Sequence, residues 1–245
     1  MREPRLRTVQ KVQAPYKLNE FPASFIDTFA REIVYMRATK ATMSIEGAEW
    51  EQVFANCIGA QWKPSNVGLD DVVLGNCCWG AKTVKGGNNV AKVQRVRLIS
   101  GRNSPTFSFG EDRLISQDPN DIGKMVLAIW NERVSAVREI YKFVRTVVLV
   151  KSNDYNDYLI FEEDTTRYDS ELYNFVWNNH NNLEGYSKKD KRHCFTWQPS
   201  GSQFTIIVSV PSNRLYIRIR EPEPLAKEDV LKALKFDNTW YSIVE

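Results

Sequence analysis

The sequence predicts an α/β (α+β) fold in which helices flank a central mixed β-sheet. Three segments carry apolar residues at helical spacing, and short runs rich in β-branched residues lie between turn signals. In chain order, two helices precede three strands, a long helix and further strands. Such an order is typical of a sheet that buries its faces against helices.

The first two predicted helices lie before residue 60. Pro22 opens a helix whose apolar stripe includes Phe29. Ser44 is predicted to cap a second helix over residues 45–58, which ends at Gly59 because glycine favours the position after a helix. A basic arm precedes the first helix, and a Pro-Ser-Asn-Val-Gly loop follows the second.

A β-meander is predicted after that loop. Residues 71–74 and 78–84 form two strands around a turn at residues 75–76, and a flexible loop occupies residues 86–89. A third strand over residues 93–99 alternates between Val or Leu and Arg, which predicts one buried and one exposed face.

The second half begins with a helix that Asp118 caps and Pro119 starts, running to about Tyr141. A short helix follows Pro224. The remaining strand candidates are residues 146–150, 158–161, 194–197, 203–210 and 215–219. We therefore expect an N-terminal arm and helix (1–43), a core (44–150) and a β-rich part (151–245) packed on that core as one domain.

Composition excludes several classes of protein. Of the 245 residues, 42% are hydrophobic and 26% charged, as in ordinary globular proteins. No apolar run approaches the roughly 20 residues of a membrane span, and no signal peptide is recognisable, so we expect a cytoplasmic protein without a membrane partner. The four cysteines lack a Cys-x-x-Cys spacing and are expected to be buried, reduced thiols.

Common catalytic motifs are missing. Only two histidines are present, with no triad-like spacing, and neither a Gly-x-Gly-x-x-Gly nor a P-loop motif occurs. Charge is more informative, because the net value of +3 hides two opposite segments. Residues 81–110 carry six basic and no acidic residues, whereas residues 154–171 carry seven acidic residues against one arginine. The first segment attracts phosphate and the second repels it.

The predicted hairpin brings an acid and a lysine together. Asp71 starts one strand, and Lys82 lies eleven residues later on the next, so both side chains can converge at one end of the sheet. In metal-assisted phosphodiester hydrolysis, a carboxylate holds Mg²⁺ while a lysine orients or deprotonates the attacking water. An ordinary surface ion pair explains the same spacing, and the spacing alone does not decide between them.

Gly68-Leu-Asp-Asp-Val-Val-Leu, followed by Trp79-Gly-Ala-Lys-Thr, resembles the core of the PD-(D/E)XK nucleases, specifically type II restriction endonucleases. The preceding helix carries the Gly-x-x-aromatic-Glu pattern of that family in residues 47–51. The resemblance covers roughly residues 44–145. It implies a restriction-endonuclease-like core, with a C-terminal β-rich part as the variable recognition region.

The resemblance implies roles for individual residues. Asp71 corresponds to the metal-binding aspartate, Lys82 to the catalytic lysine, and the backbone carbonyl of Ala81 to a metal ligand. Asp70 stands where the family often has proline.

One position departs from the family pattern. The second acid, two residues before the lysine, is replaced by Gly80. A helix acid could take its place: Glu51 fits the helix pattern best, with Glu46 as the alternative, although either could belong to a solvated helix face. A glycine at residue 80 could let a metal or the DNA backbone approach closely, or mark a bulge.

The basic stretch at residues 81–110 is expected to supply DNA contacts. The alternative is that these residues form an ordinary solvated face. These residues are Lys85, Lys92, Arg95, Arg97, Arg102 and Asn103. The resemblance implies a Mg²⁺-dependent, sequence-specific double-strand DNA endonuclease that acts as a homodimer on a symmetric site, with a cognate DNA methyltransferase as genetic partner. The alternatives are a non-catalytic DNA-binding protein on the same fold and a DNA-repair nuclease.

Overall fold

A computed structural model of the chain describes residues 12–40, 43–63, 68–112 and 114–244. Within these ranges it contains five α-helices and two β-sheets, so the predicted mixed α/β class is confirmed. The predicted N-terminal basic arm falls largely outside the described residues, as do all residues of the Pro-Ser-Asn-Val-Gly loop before Gly68.

Four of the five helices in the described residues lie where the sequence predicts them, and α3 was not predicted. The long helix begins at Pro119 because Asp118 accepts a hydrogen bond from the Asn120 N–H (2.8 Å). The helices are α1 (Phe25–Thr39), α2 (Gly47–Ile58), α3 (Pro105–Phe109), α4 (Pro119–Ile140) and α5 (Lys227–Ala233).

The predicted cap of α2 is wrong. The helix starts at Gly47, three residues after Ser44, and Glu46 is the N-cap residue. The Glu49 carboxylate reaches back to accept from the Glu46 N–H (2.7 Å), which fixes the first turn. The Ser44 carbonyl instead accepts from Lys40 Nζ (2.9 Å).

The strands divide between two sheets. They are β1 (Gln61–Trp62), β2 (Val72–Leu74), β3 (Cys77–Lys85), β4 (Arg95–Arg102), β5 (Phe143–Lys151), β6 (Asp157–Asp164), β7 (Tyr173–Trp177), β8 (Leu183–Ser187), β9 (His193–Gln198), β10 (Gln203–Ser209) and β11 (Leu215–Arg218). The first sheet has the order β1-β2-β3-β5-β6-β11, with β3 and β5 parallel and the other pairs antiparallel.

The second sheet was not expected. It has the order β4-β10-β9-β8-β7 and is antiparallel throughout. Strand β4 was predicted as part of a meander with β2 and β3, but it leaves their sheet and pairs with β10. Both sheets therefore contain strands from either side of residue 150, where a boundary was predicted; that boundary stays a prediction.

Two apolar layers position the elements. On one face of the first sheet, α1 and α2 bury Phe29, Trp50 and Phe54 against Trp79. On the other face, α4 and the second sheet enclose a core that includes Trp130, Phe195 and Phe204. In the described residues, the four cysteines are buried free thiols, as predicted, and no helix has the length and apolarity needed to span a bilayer.

Candidate active site

Asp71 lies directly before β2, where the pairing of β2 and β3 begins. Val72 is opposite Trp79, so the residue before it faces the continuing part of β3. The Asp71 carboxylate accepts a hydrogen bond from the Ala81 N–H (3.3 Å), and the side chain is 4% exposed. The local strand pairing therefore holds a buried carboxylate beside β3.

Lys82 lies on β3, one residue after Ala81. Trp79 and Ala81 belong to the core beneath α1 and α2. Because side chains alternate along a strand, Lys82 projects from the opposite face, toward α4 and the second sheet. Its Nζ donates to the Gly68 carbonyl (3.3 Å).

The charges of these residues act on one another. Burial raises the pKa of Asp71 to about 6, the Lys82 charge acts in the opposite direction, and the Glu51 charge raises the pKa further. Burial lowers the pKa of Lys82, against the pull of Asp71 and Glu51. The three side chains that sequence reasoning assigned to the site are therefore close enough for their charges to interact.

The structure distinguishes the two candidate helix acids, Glu51 and Glu46. Glu51 projects from α2, where its carboxylate accepts from Trp62 Nε1 (3.0 Å), and its charge reaches both Asp71 and Lys82. The charge of Glu46 acts instead on Lys151, at the end of β5. Of the two, Glu51 is the acid that the fold places near Asp71.

Gly80 has a different role from the one expected. A Cβ at this position would lie 2.8 Å from the Gly68 carbonyl oxygen and 3.1 Å from Leu69 Cα. The close approach is made by the protein's own backbone, rather than by a metal or DNA. The family's acid cannot occupy this position while residues 68–69 pass over it.

The donor set fits a hard cation such as Mg²⁺. The carboxylates of Asp71 and Glu51 supply oxygen, which Mg²⁺ prefers. The N–H and C=O of a strand residue point to the same edge, so the Ala81 carbonyl faces the same side as its N–H, toward Asp71. Across the described ranges, no three His, Cys, Asp or Glu side chains form a metal cluster. Two carboxylates suffice, because Mg²⁺ usually retains several waters.

The predicted DNA contacts are distributed over several surfaces. Lys85, Lys92 and Arg102 are exposed. Arg95 and Arg97 lie on the outer face of the second sheet, since Val96 and Leu98, which alternate with them, point into the core. Their guanidinium groups donate to the His193 carbonyl and the Thr196 hydroxyl of the neighbouring β9.

Asn103 is not a surface residue, so its assignment as a DNA contact is corrected. Its side chain is fully buried, and its amide nitrogen donates to the Val126 carbonyl (2.9 Å). Its backbone carbonyl accepts from Trp197 Nε1 (2.7 Å), and its backbone N–H donates to the Ser202 carbonyl. Asn103 joins α4 to the second sheet.

Sequence reasoning missed Arg133, whose charge also acts on Lys82. It lies on α4 with Trp130 and Val137, at spacings of three and four residues, so it points inward. A cation on an apolar helix stripe is the signal that could have found it.

The comparisons with known proteins add no relative: no family model matches the chain, and no curated protein matches it either. The chemical assignment therefore depends on the geometry of Asp71, Lys82 and Glu51.

Proposed function

We propose that the protein is a Mg²⁺-dependent, sequence-specific double-strand DNA endonuclease of the type II restriction kind. The observation that carries this proposal is a buried aspartate and a partly buried lysine at the paired ends of β2 and β3, whose charges interact with each other and with a second carboxylate on α2. Burial of such groups without strong pairing costs folding free energy, and it is common where a metal or substrate is bound.

The element order supports a restriction-endonuclease-like core. The resemblance implies a helix with a glutamate, a strand with aspartate, a strand with lysine and then a further helix. Here α2, β2, β3 and α4 occupy these places in that order. The basic strand β4, which lies between β3 and α4 in the chain, belongs to the second sheet.

The chain's residues have distinct roles in this proposal. Asp71, Glu51 and the Ala81 carbonyl would hold Mg²⁺, which polarises a phosphodiester and makes its phosphorus more electrophilic. Burial lowers the pKa of the partly buried Lys82, whose amine would orient the attacking water or, in its neutral form, accept a proton from it. Gly68 positions the Lys82 amine through its carbonyl.

Digestion of plasmid and phage DNA tests the proposal. Wild type should give discrete fragments with Mg²⁺ and none with EDTA, and Lys82→Ala should give none in either. Glu51→Gln should lose cleavage, whereas Glu46→Gln, on the same helix but directed toward Lys151, is the matched control and should cut normally. Intact DNA with the folded wild type under every condition would reject the endonuclease.

A non-catalytic DNA-binding protein is the second candidate, because Gly80 stands where the family has its second acid and the backbone of residues 68–69 fills that space. It predicts a gel shift that is retained in EDTA and in Asp71→Ala, without cleavage. A repair nuclease predicts Mg²⁺-dependent degradation without sequence-defined fragments.

The proposed partners follow from a double-strand cut. A homodimer places two copies of the site on the two strands of a palindrome, because the symmetry of the protein then matches that of the DNA. Sedimentation with and without a cognate duplex tests this. A cognate methyltransferase and a cytoplasmic location complete the proposal.

A further inference from the structure

The second sheet has one face that is accessible from outside. Its inner face packs against α4, with Phe195 and Phe204 in the shared core. Side chains alternate between the two faces along each strand, so Arg97 of β4 and Ser209 of β10 lie on the outer face, where both are exposed. An antiparallel sheet commonly has one face in water, and this outer face is open to a partner.

Three arginines from two distant parts of the chain lie on the outer face. Arg95 is opposite Ser209 in the pairing of β4 with β10. Arg192, in the turn between β8 and β9, donates to the hydroxyl of the same serine (3.4 Å). Arg97 lies two residues after Arg95, on the same side of β4. The two segments therefore meet at Ser209, which no local sequence pattern predicts.

The sheet orients these guanidinium groups mostly through neutral acceptors. In the described residues, Arg95 and Arg97 donate to a carbonyl and a hydroxyl and form no ion pair. Arg192 lies 3.7 Å from the Asp190 carboxylate. A guanidinium has five N–H donors, so one hydrogen bond orients it and leaves others for a ligand. This orientation reduces the cost of ordering the side chains when a ligand binds.

Lysines extend the positive charge around the turn between β8 and β9. The turn at residues 188–192 carries three lysines, all exposed. We define the basic face as Arg95, Arg97, Lys188, Lys189, Lys191 and Arg192. The strands of the second sheet and this turn contain two acids, Asp190 and Glu184, and the Glu184 carboxylate already accepts from Tyr186 Oη (2.6 Å). This excess of positive charge favours a polyanion as the partner.

The basic face is on the opposite side of the second sheet from the candidate active site. A small cavity that Lys82 lines is also lined by Leu98 of β4 and Val208 of β10, which point from the inner face. Arg97 precedes Leu98 and points the other way. A phosphate bound at Asp71 and Lys82 therefore lies across the sheet from the arginines and does not contact them.

We propose that the basic face binds the phosphate backbone of duplex DNA at a segment separate from the phosphate that is cleaved. The planar guanidinium groups suit pairs of phosphate oxygens, and the lysines add point charges. The inference rests on the proposed function for the identity of the polyanion. It adds Arg192 and the lysines of the turn to the predicted DNA contacts, and it places Arg95 and Arg97 away from the cleavage step.

The test variant replaces the three arginines of the basic face by glutamine, which can still donate to their neutral acceptors but carries no charge. The matched control replaces Lys227, Lys232 and Lys235 by glutamine, so it removes the same charge from exposed positions in and just after α5. Circular dichroism and thermal unfolding establish that both variants are folded.

Duplex affinity is measured in EDTA over a series of salt concentrations. The plot of log K against log[salt] should be shallower by about 2 to 3 in the arginine variant, because each lost phosphate contact removes about 0.9 from the slope. The lysine control should keep the wild-type slope. A wild-type slope in the folded arginine variant, an equal change in both variants, or tighter binding of single strands than of duplex would overturn the inference.

A photo-crosslink locates the bound DNA and does not require the arginine variant to fold. Ser209→Cys places an exposed thiol between Arg95 and Arg192, and a photoreactive reagent labels it selectively because the native cysteines are buried. Residue 209 should crosslink to duplex DNA, outside the nucleotides that flank the cut, whereas Lys227→Cys should not crosslink. No crosslink at residue 209, or one to the nucleotides at the cut, would overturn the inference.

The proposed function and this inference fail separately. Intact DNA, together with the change in slope and the crosslink, rejects the endonuclease and keeps the basic face as a DNA-binding surface. Discrete cleavage, together with an unchanged slope and no crosslink, keeps the endonuclease and rejects the basic face.

Discussion

Two buried carboxylates next to β3 differ in their partners. Glu162 of β6 accepts from Tyr16 Oη (2.8 Å), Trp79 Nε1 (2.5 Å), the Asn19 N–H (3.0 Å) and Arg145 Nη1 (3.3 Å). Burial raises its pKa, and the Arg145 charge opposes that rise. The carboxylate ties the segment before α1 to the first sheet.

Asp71 is buried to a similar degree but has few partners. Within the described chain, one long hydrogen bond from the Ala81 N–H reaches its carboxylate; the Lys82 charge favours the ionised form, and the Glu51 charge opposes it. A buried charge with filled hydrogen-bonding capacity stabilises a fold, whereas one left short of donors destabilises it unless a ligand binds. The difference between Glu162 and Asp71 therefore separates an anchor from a candidate site.

The largest expected effect is that of Asp71→Asn. If the proposed function holds, cleavage should fall about 10⁴-fold, because the proposed Mg²⁺ would lose a charged ligand worth several kcal/mol in the transition state. The same change should raise the free energy of unfolding of the metal-free protein at pH 8 by about 1 to 3 kcal/mol, since a charge no longer has to be buried.

The pH dependence of stability tests whether Asp71→Asn raises the free energy of unfolding. The Asp71 pKa is raised to about 6 in the folded protein, so wild type should lose stability as pH rises from about 4 through 6, and Asp71→Asn should lose less. Urea unfolding at pH 5 and pH 8 measures this. Asp70→Asn, which breaks an ion pair with Lys63 (3.7 Å), is the control and should give no such gain.

Glu162→Ala should have the next largest effect, on stability. Removing it leaves the buried Arg145 unpaired and should cost about 3 to 5 kcal/mol. Urea unfolding measures the loss, and cleavage per folded molecule should be unchanged. Loss of cleavage by fully folded Glu162→Ala would place this anchor in the site and remove the distinction from Asp71.

Gly80→Ala should cost about 1 to 3 kcal/mol, because the added methyl group meets the Gly68 carbonyl at 2.8 Å. That carbonyl also accepts from Lys82 Nζ, so cleavage should fall together with stability. Gly47→Ala is the control: a Cβ there meets nothing within 4 Å, and its unfolding midpoint should stay within a degree or two.

The smallest effect is expected for Glu163→Gln. One of its carboxylate oxygens is buried without a hydrogen-bond partner, and burial raises its pKa to about 7. Wild type should therefore lose stability as pH rises through 7, and Glu163→Gln should be more stable by about 1 kcal/mol at pH 8 and equal at pH 5. Thermal unfolding of both proteins at pH 5 and pH 8 measures this difference in stability.

Local signals predicted the hairpin and α4 well, because a two-residue turn and a capped amphipathic helix are determined by neighbours in sequence. The position of β4 depends on pairing with β10, which no local pattern shows. Strands β7 and β8 were missed for a related reason. Gly185 interrupts the β8 signal, yet a Cβ there would lie 2.7 Å from the Phe175 ring, so the glycine is needed by the aromatic packing.

The site was partly predictable. Spacing predicted that Asp71 and Lys82 lie near one another, but the position of Glu51 rather than Glu46 near them depends on the rotation of α2 over the sheet. Asn103 looked like a polar surface residue and is buried, because its side-chain amide donates to the Val126 carbonyl of α4 and accepts from Arg133 of the same helix. Arg133 could not be predicted from local pattern, because its contact with the Ser100 carbonyl of β4 depends on how α4 packs against that strand.

The pairing of β4 with β10 also sets a condition on synthesis. Strand β4 ends at Arg102 and its partner begins at Gln203, so about a hundred residues must be translated before they can meet. At about 5 to 20 residues per second, β4 waits about 5 to 20 s with an unpaired edge. A nascent chain held at residue 150 should therefore be open to proteases at β4, and release of the C-terminal strands should close it.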